Sequence, residues 1–274
     1  MGTLYLVATP IGNLEDMSPR AIRILREASL IAAEDTRHTG KLLKHFKIET
    51  ALTSYFEHNK LNKLDLILDK LSSGDVALVS DAGMPAINDP GYELVRAALA
   101  SSHDVVPVPG PSAPVTALAV SGLPTDSFLY LGYLPSKTSD RHKRLQEMES
   151  HPYTLIFFES PHRIVESLED ILSVLGDRRI CAAREMTKLF EEYWRGTLSG
   201  AVEYFKSQPA RGEFTLVIEG KTKTEKGLWT EEELLAAIAS ALQAEKSAKE
   251  ISVELAEQSG WNKKEVYRLI NRKE

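Results

Sequence analysis

Two charged clusters follow apolar runs in this chain: Glu34-Asp35-Thr36-Arg37 after Leu30–Ala33, and Arg184-Glu185-Met186-Thr187-Lys188 after residues 179–183. A carboxylate can take a proton from a reacting group, and a neighbouring cation can stabilise the anion left behind. Charge gathered at strand ends marks a candidate site, with a structural ion pair as the alternative. A third segment, residues 80–91, separates the apolar run Val76–Val79 from a helix expected near Tyr92. It reads Ser-Asp-Ala-Gly-Met-Pro-Ala-Ile-Asn-Asp-Pro-Gly, far more irregular than a strand-to-helix turn needs. Loops at the carboxyl ends of strands in α/β sheets are where ligands bind.

Two further turns share this character, residues 8–16 and Val108-Pro109-Gly110-Pro111-Ser112-Ala113. Parallel strands would bring all three turns to one edge. Glycine lets backbone approach a ligand closely and proline stiffens it, so backbone N–H and C=O groups there can bind an adenine edge and an amino-acid moiety. Three ordinary turns remain the alternative. Neither Gly-x-x-x-x-Gly-Lys-Ser/Thr nor Gly-x-Gly-x-x-Gly occurs, and residues 110–114 lack the closing glycine of a nucleophile elbow. Ser112 is read as a helix cap. The seven histidines show no His-Glu-x-x-His spacing, so no metal site is expected.

The elements that must hold these residues alternate. Residues 4–9, 30–33, 51–54, 76–79 and 105–108 read as strands, and residues 18–28, 38–46, 58–71 and 92–101 as helices, with Ser18 capping and Pro19 opening the first. This alternation predicts a largely parallel sheet covered on both faces. A second set begins near Phe128, with strands at 128–132, 154–158, 179–183, 193–197 and 214–219 and helices at 141–149, 161–175 and 200–207. Adjacent strands around 179–197 predict a mixed sheet. A boundary is placed at Gly122-Leu123-Pro124, giving units 1–122 and 123–222, and residues 221–227 form a polar linker. Residues 228–274 read as a helical tail in which Ala256, Gly260, Val266 and Leu269 have the spacing of a helix-turn-helix, with Asn262 capping its second helix.

Composition sets limits. Of 274 residues 43% are hydrophobic and 26% charged, as in an ordinary globular protein, and no run approaches the ~18 apolar residues of a membrane span. The single cysteine, Cys181, excludes an internal disulfide or a cysteine-rich zinc site, and no basic leader precedes the first strand; a cytoplasmic protein is expected. A net charge of −6 argues against a general polyanion binder but leaves room for a local basic patch.

The three turns, their order and their surroundings resemble the tetrapyrrole methylase superfamily, the class III S-adenosylmethionine-dependent methyltransferases. Residues 7–16 (Val-Ala-Thr-Pro-Ile-Gly-Asn-Leu-Glu-Asp), 33–37 (Ala-Glu-Asp-Thr-Arg) and 80–91 resemble its branch acting on small-subunit rRNA. Residues 157–163 (Phe-Phe-Glu-Ser-Pro-His-Arg) and 183–188 (Ala-Arg-Glu-Met-Thr-Lys) extend the likeness over essentially the whole chain. It implies two α/β domains with the cofactor trough between them, plus the small helical tail. The implied activity is S-adenosylmethionine-dependent methylation of a cytidine ribose 2′-oxygen in the decoding region of 16S rRNA, by a homodimer. By position, Pro10, Ile11 and Gly12 form the floor of the donor site. Asp81, Ala82, Gly83 and Ile87 line it, Ser112 and Ala113 close one side, and Phe158 and Glu159 supply the second-domain wall. The turn Thr9-Pro10-Ile11-Gly12 is poorer in glycine than the tetrapyrrole-modifying type, which argues against a porphyrinoid substrate.

A ribose hydroxyl is a poor nucleophile until deprotonated. Asp35 or Glu185 is expected to position it, and Arg37 and Lys188 to hold phosphate or alkoxide. For RNA, Lys137, Arg141, His142, Lys143 and Arg144 form a basic stretch beside the domain junction, and Arg163 is a candidate phosphate ligand; a solvated helix face is the alternative. The tail's second helix carries Lys263, Lys264, Arg268, Arg272 and Lys273 against Glu265, and could address a nucleic-acid groove or merely belong to a small bundle. Two other functions remain open at this stage: a methyltransferase acting on a tetrapyrrole or other metabolite, and a ligand-sensing DNA-binding regulator.

Overall fold

The computed structural model describes residues 2–58, 60–208, 211–221, 229–242 and 247–271. Most of the expected linker, from residue 222 on, lies outside them, as do Arg272 and Lys273. Residues up to Glu219 form one compact unit and Gly220–Glu274 a second. Among the described residues no helix is long and apolar enough to cross a membrane.

The larger unit begins with β1 (Leu4–Val7), α1 (Pro19–Glu27), β2 (Leu30–Ala33), α2 (Thr36–His45), β3 (Leu52–Ser54), α3 (Lys60–Ser73), β4 (Val76–Val79), α4 (Tyr92–Ala100) and β5 (Val105–Val108). Its five strands pair in the order β3-β2-β4-β1-β5, all parallel. Side chains alternate between the faces as a strand requires. Ile31 and Ala33 meet Ile24 and Leu25 of α1 and Leu42 and Leu43 of α2. Leu30 and Ala32 meet Ile67 and Leu71 of α3 and Leu94 and Ala98 of α4. Burial on both faces explains why these strands are short continuous apolar runs.

After α5 (Ala113–Ser121) comes a second set: β6 (Phe128–Tyr133), α6 (Thr138–Met148), β7 (Thr154–Glu159), α7 (Ile164–Leu175), β8 (Arg179–Arg184), β9 (Glu192–Thr197), α8 (Leu198–Ser207) and β10 (Phe214–Ile218). The order is β6-β7-β10-β8-β9; only β6 and β7 are parallel, so the sheet is mixed. One face packs on α6, α7 and α8 through Leu145, Leu168 and Phe205. The other packs on α5, where Ala117 and Leu118 meet Ile156, Cys181, Ala183 and Val217. A helix on the first-unit side of the expected boundary therefore covers a face of the second sheet.

The smaller unit has its own core. Helices α9 (Glu231–Leu242), α10 (Ala248–Ser259) and α11 (Lys263–Ile270) enclose Leu234, Ile238, Ile251, Leu255 and Val266. Ser247 and Glu250 form a capping box at the start of α10, Gly260 ends it at φ +74°, and Asn262 caps α11.

Candidate active site

The three irregular turns meet at the carboxyl edge of the first sheet. Thr9 and Gly83 exchange backbone hydrogen bonds of 2.9 and 3.0 Å, and the Thr9 hydroxyl donates to the Ser80 carbonyl at 3.1 Å. Ala8 N–H donates to the Val108 carbonyl at 3.2 Å, and a Cβ on Gly110 would lie 3.0 Å from the Ala8 methyl. Gly83 sits at φ +81°, open to glycine at no cost. Ala86 and Asn88 also hold positive φ, so this loop carries backbone strain of the kind that collects at ligand clamps.

The opposite wall comes from the second sheet, through Tyr130, Tyr133, Phe158, Phe214 and Thr215, and the two walls enclose a cleft of about 260 Å³. A bulge in β6 creates part of this wall. Tyr130 pairs with Ile156 and Tyr133 with Phe158, so one extra residue turns both tyrosines into the cleft. Gly132, at φ +65°, makes this possible, because a Cβ there would fall 2.2 Å from the Asn88 amide of the first-sheet loop. The Tyr130 hydroxyl is buried without a hydrogen-bond partner. Burial, reinforced by the negative charge of Asp89, pushes its pKa well above the usual phenol value.

Lining charge is strongly biased. Glu34, Asp81, Asp89, Glu185 and Glu213 face one cation, Lys188. Burial, then Asp89, raises the Glu34 carboxyl; burial, then Asp81, raises Asp89. Lys188 is held between two carboxylates, its Nζ 2.9 Å from Glu185 Oε1 and 2.9 Å from Glu213 Oε2. Glu185 Oε1 also accepts the Glu213 N–H at 3.0 Å. Burial opposes ionisation of Glu185, yet Lys188 and that N–H outweigh it and its pKa falls. Burial likewise opposes the Lys188 charge, and the two carboxylates reverse that, so its pKa rises. Glu185 and Thr187 both lie at positive φ, 49° and 65°, which folds the β8–β9 loop back toward the cleft. Gly212 makes room: a Cβ there would come within 2.4 Å of the Glu185 carboxyl carbon.

The family profile of Tetrapyrrole (Corrin/Porphyrin) Methylases matches residues 3–202. The chain is 53% identical over 232 residues to the ribosomal RNA small subunit methyltransferase I of Halalkalibacterium halodurans, covering 83% of this chain and 80% of that one. It is 45% identical to the protein of that name from Synechocystis, over 98% of this chain and 97% of the other. The chain belongs to the ribosomal RNA small subunit methyltransferase I family. The fold of this family member is also that of uroporphyrin III C-methyl transferase from Thermus thermophilus, at TM-score 0.55 and 19% identity over 80% of this chain and 97% of that one.

Against this frame of a methyltransferase fold, the expected site residues divide. Ile11, Asp81, Ala82, Gly83, Ile87, Ser112, Ala113 and Phe158 line the cleft, as do Glu185 and Lys188. Pro10 and Gly12 flank Ile11 and are not among its lining; Gly12 abuts the Lys188 side chain, where a Cβ would fall 2.5 Å from Lys188 Cγ. Glu159 is not among the lining residues. The two-residue period of β7 turns it away from the cleft that Phe158 faces, and it is buried, accepting bonds from the Ser167 hydroxyl at 2.5 Å and from Arg163 at 3.2 Å. Asp35 and Arg37 do not line the cleft either. Asp35 caps α2 through the Arg37 N–H at 2.8 Å, and its carboxylate holds the Arg37 guanidinium at 2.7 Å. The Arg37 hydrogen bonds draw the Asp35 pKa far below the usual range.

Two of the expected RNA contacts are engaged within the fold. Arg141 is fully buried, its guanidinium taken up by Glu166, Asp170 and the carbonyls of Pro135 and Ser136. It holds α6 to α7 and offers nothing to a phosphate. Arg163 donates to the Leu134 carbonyl at 2.8 Å and to Glu159, so its primary role is within the fold. Lys137, just before α6, and Lys143 and Arg144 on it are exposed, although Arg144 is engaged by Glu147 at 2.8 Å. In the smaller unit Lys263, Lys264 and Arg268 are exposed on α11. Sequence reading missed Tyr130, Tyr133, Glu213 and Asp89 as lining residues. Asp89 had a signal, its place in the 80–91 loop; for the tyrosines the one mark is Gly132 inside the strand, since a bulge cannot be read from alternation.

Proposed function

We propose that this chain transfers a methyl group from S-adenosylmethionine to the 2′-oxygen of a cytidine ribose in the decoding region of 16S rRNA. The observation that carries the reading is the charge of the cleft in a chain of this family: five lining carboxylates against one ammonium. A donor bearing a sulfonium and an ammonium against one carboxylate, net positive, relieves part of that repulsion, and the orphaned Tyr130 hydroxyl offers it a hydrogen bond. The donor would rest on the loop residues Asp81, Ala82, Gly83 and Ile87, beside Ile11, Ser112 and Ala113, with Phe158 opposite. When bound, it supplies an electrophilic methyl group.

The chain's own residues then have distinct tasks. Glu185, ionised at neutral pH, accepts the hydrogen bond of the ribose hydroxyl and orients its oxygen. Lys188, kept cationic by its two carboxylates, steadies the charge that grows on that oxygen. Alignment of the oxygen with the methyl carbon carries much of the rate. Arg37, with 88% of its side chain exposed beyond its bond to Asp35, is a phosphate contact outside the cleft. Lys137 at the start of α6, Lys143 and Arg144 on it, and Lys263, Lys264 and Arg268 on the helix-turn-helix-like tail, are further phosphate contacts. The units 1–122 and 123–222 are the two halves of the catalytic body. A homodimer agrees with α5, apolar all round, whose outward Val115 and Val120 are 53% and 39% exposed. A cytoplasmic location agrees with an rRNA substrate.

The test is methyl transfer from labelled donor to assembled small subunits, naked 16S rRNA and tetrapyrroles, with the labelled nucleotide located by its resistance to alkaline cleavage. Labelling of one cytidine ribose is expected. Tetrapyrrole turnover without labelling of any rRNA form would overturn the reading.

A further inference from the structure

The β8–β9 loop shows the two most exposed large apolar side chains among the described residues, Leu189 at 89% and Phe190 at 70%. They follow directly in the chain on Lys188, which lines the cleft. The loop that displays them is tightly held. Lys188 N–H donates to the Glu185 carbonyl at 3.0 Å and Glu191 N–H to the Lys188 carbonyl at 3.2 Å. The Glu191 carboxylate accepts the Thr187 N–H at 3.1 Å and the Tyr193 hydroxyl. With positive φ at Glu185 and Thr187 the backbone is strained as well as stapled. A strained loop that presents bare apolar surface beside reacting groups calls for an occupant.

We propose that Phe190 is a stacking platform for a nucleobase of the RNA strand whose ribose enters the cleft, with Leu189 as its apolar flank. This rests on the rRNA reading above and adds to it the group that grips the substrate base. Single-stranded RNA is recognised by splaying bases onto aromatic side chains, and any base has a face to offer. A second copy of the chain is the weaker candidate. Two side chains offer on the order of 300 Å², against about 800 Å² per partner in a stable interface. Their neighbours in the chain, Arg184, Glu185, Lys188, Glu191 and Glu192, are charged rather than apolar, so the pair stands as an isolated apolar platform of the size of one base rather than part of a broad apolar interface.

Phe190→Ala, Phe190→Leu and Phe190→Trp in the full-length chain test this. With assembled small subunits, kcat/KM is expected to fall roughly 5- to 150-fold in the alanine and leucine variants and to be kept in the tryptophan variant. Donor affinity and oligomeric state are expected to be unchanged in all three. Added tryptophan fluorescence in Phe190→Trp should be quenched by an oligoribonucleotide carrying the target segment. Phe190→Ala within about twofold of wild type overturns the platform, since one stacked base is worth more than that. So does a leucine variant equal to tryptophan, or a shift in sedimentation that makes the pair a contact between copies. If wild type labels no rRNA form, the function reading falls and the platform with it. If wild type labels rRNA and Phe190→Ala does so equally, only the platform falls.

Discussion

Replacing Arg141 with methionine separates a structural clasp from an RNA contact. The substitution keeps an unbranched apolar stem and removes the guanidinium. Arg141 Nε is 2.6 Å from Asp170 Oδ2, and two backbone carbonyls accept from its Nη1 at 3.2 and 3.0 Å. Its own side chain is 0% exposed and that of Asp170 15%. Breaking a buried pair costs about 3–5 kcal/mol. The lower end applies, because His142 still reaches Asp170 at 2.7 Å. A loss of about 3 kcal/mol in a unit of this size lowers Tm by about 6–12 °C. The loss should also depend on pH. Burial opposes ionisation of Asp170, but His142 and Arg141 outweigh it and its folded pKa lies below the unfolded value. The stabilisation is therefore fully present above about pH 4 and lost as pH falls through the folded value. Thermal unfolding of wild type and Arg141→Met should differ at pH 7 and converge in acid. RNA affinity and its salt slope, measured well below Tm, should be unchanged. A normal Tm with a salt slope reduced by about one would refute the clasp and make Arg141 a phosphate ligand.

Further outcomes follow from the cleft. Lys188→Ala and Glu185→Gln should each lower kcat by about 10²–10³ with donor affinity largely kept, as for loss of a positioned electrostatic group; near-wild-type rates in both would remove the pair from the chemistry. Gly132→Ala drives a Cβ into the Asn88 amide and adds strain at positive φ, so donor affinity measured by calorimetry should weaken while far-ultraviolet circular dichroism is unchanged. Gly12→Ala should displace Lys188 and lower turnover more than donor binding, in steady-state kinetics with both substrates varied. Burial raises the pKa values of Glu34 and Asp89, so as pH falls they take protons earlier than ordinary carboxyls do and the cleft loses negative charge; donor affinity should weaken as pH falls through the raised carboxyl range and remain level above it.

Regular elements were legible because both sheets are buried on both faces. The runs 30–33 and 76–79 coincide with β2 and β4 to the residue, and every side chain in both is buried; the run 105–108 coincides with β5, where only Val108 is fully buried. Helix starts were less legible. The helix expected from residue 38 begins at Thr36, because Asp35 caps it with a side chain that also looked like a catalytic carboxylate. The cleft was legible on the side built of loops, where Gly83 and its neighbours must carry unusual backbone. It was illegible on the side built of strands. Phe158 and Glu159 adjoin in sequence and face opposite ways, and the bulge that turns Tyr133 inward leaves no mark except Gly132. Arg141 looked like its solvated neighbours Lys143 and Arg144; only the approach of Glu166 and Asp170 from α7 distinguishes it, and that is tertiary.

The state of Lys188 narrows the chemistry. A neutral lysine could serve as a base, but neutrality near pH 7 needs burial to win over partners, as it does for lysines in apolar pockets. Here the ammonium lies 2.9 Å from each of two carboxylates, and the balance runs the other way. Glu185, lowered by the same pairing, is too weak a base to abstract a hydroxyl proton unaided. On the proposed reading the pair is suited to orientation and charge stabilisation, with the hydroxyl proton passing to its hydrogen-bond acceptor, the Glu185 carboxylate, only as the new bond forms and makes that oxygen acidic. Such a device depends on placement, which gives a physical reason for a loop held at positive φ on both sides of Met186. A relaxed loop would be easier to build but would leave the hydroxyl's partners free to wander.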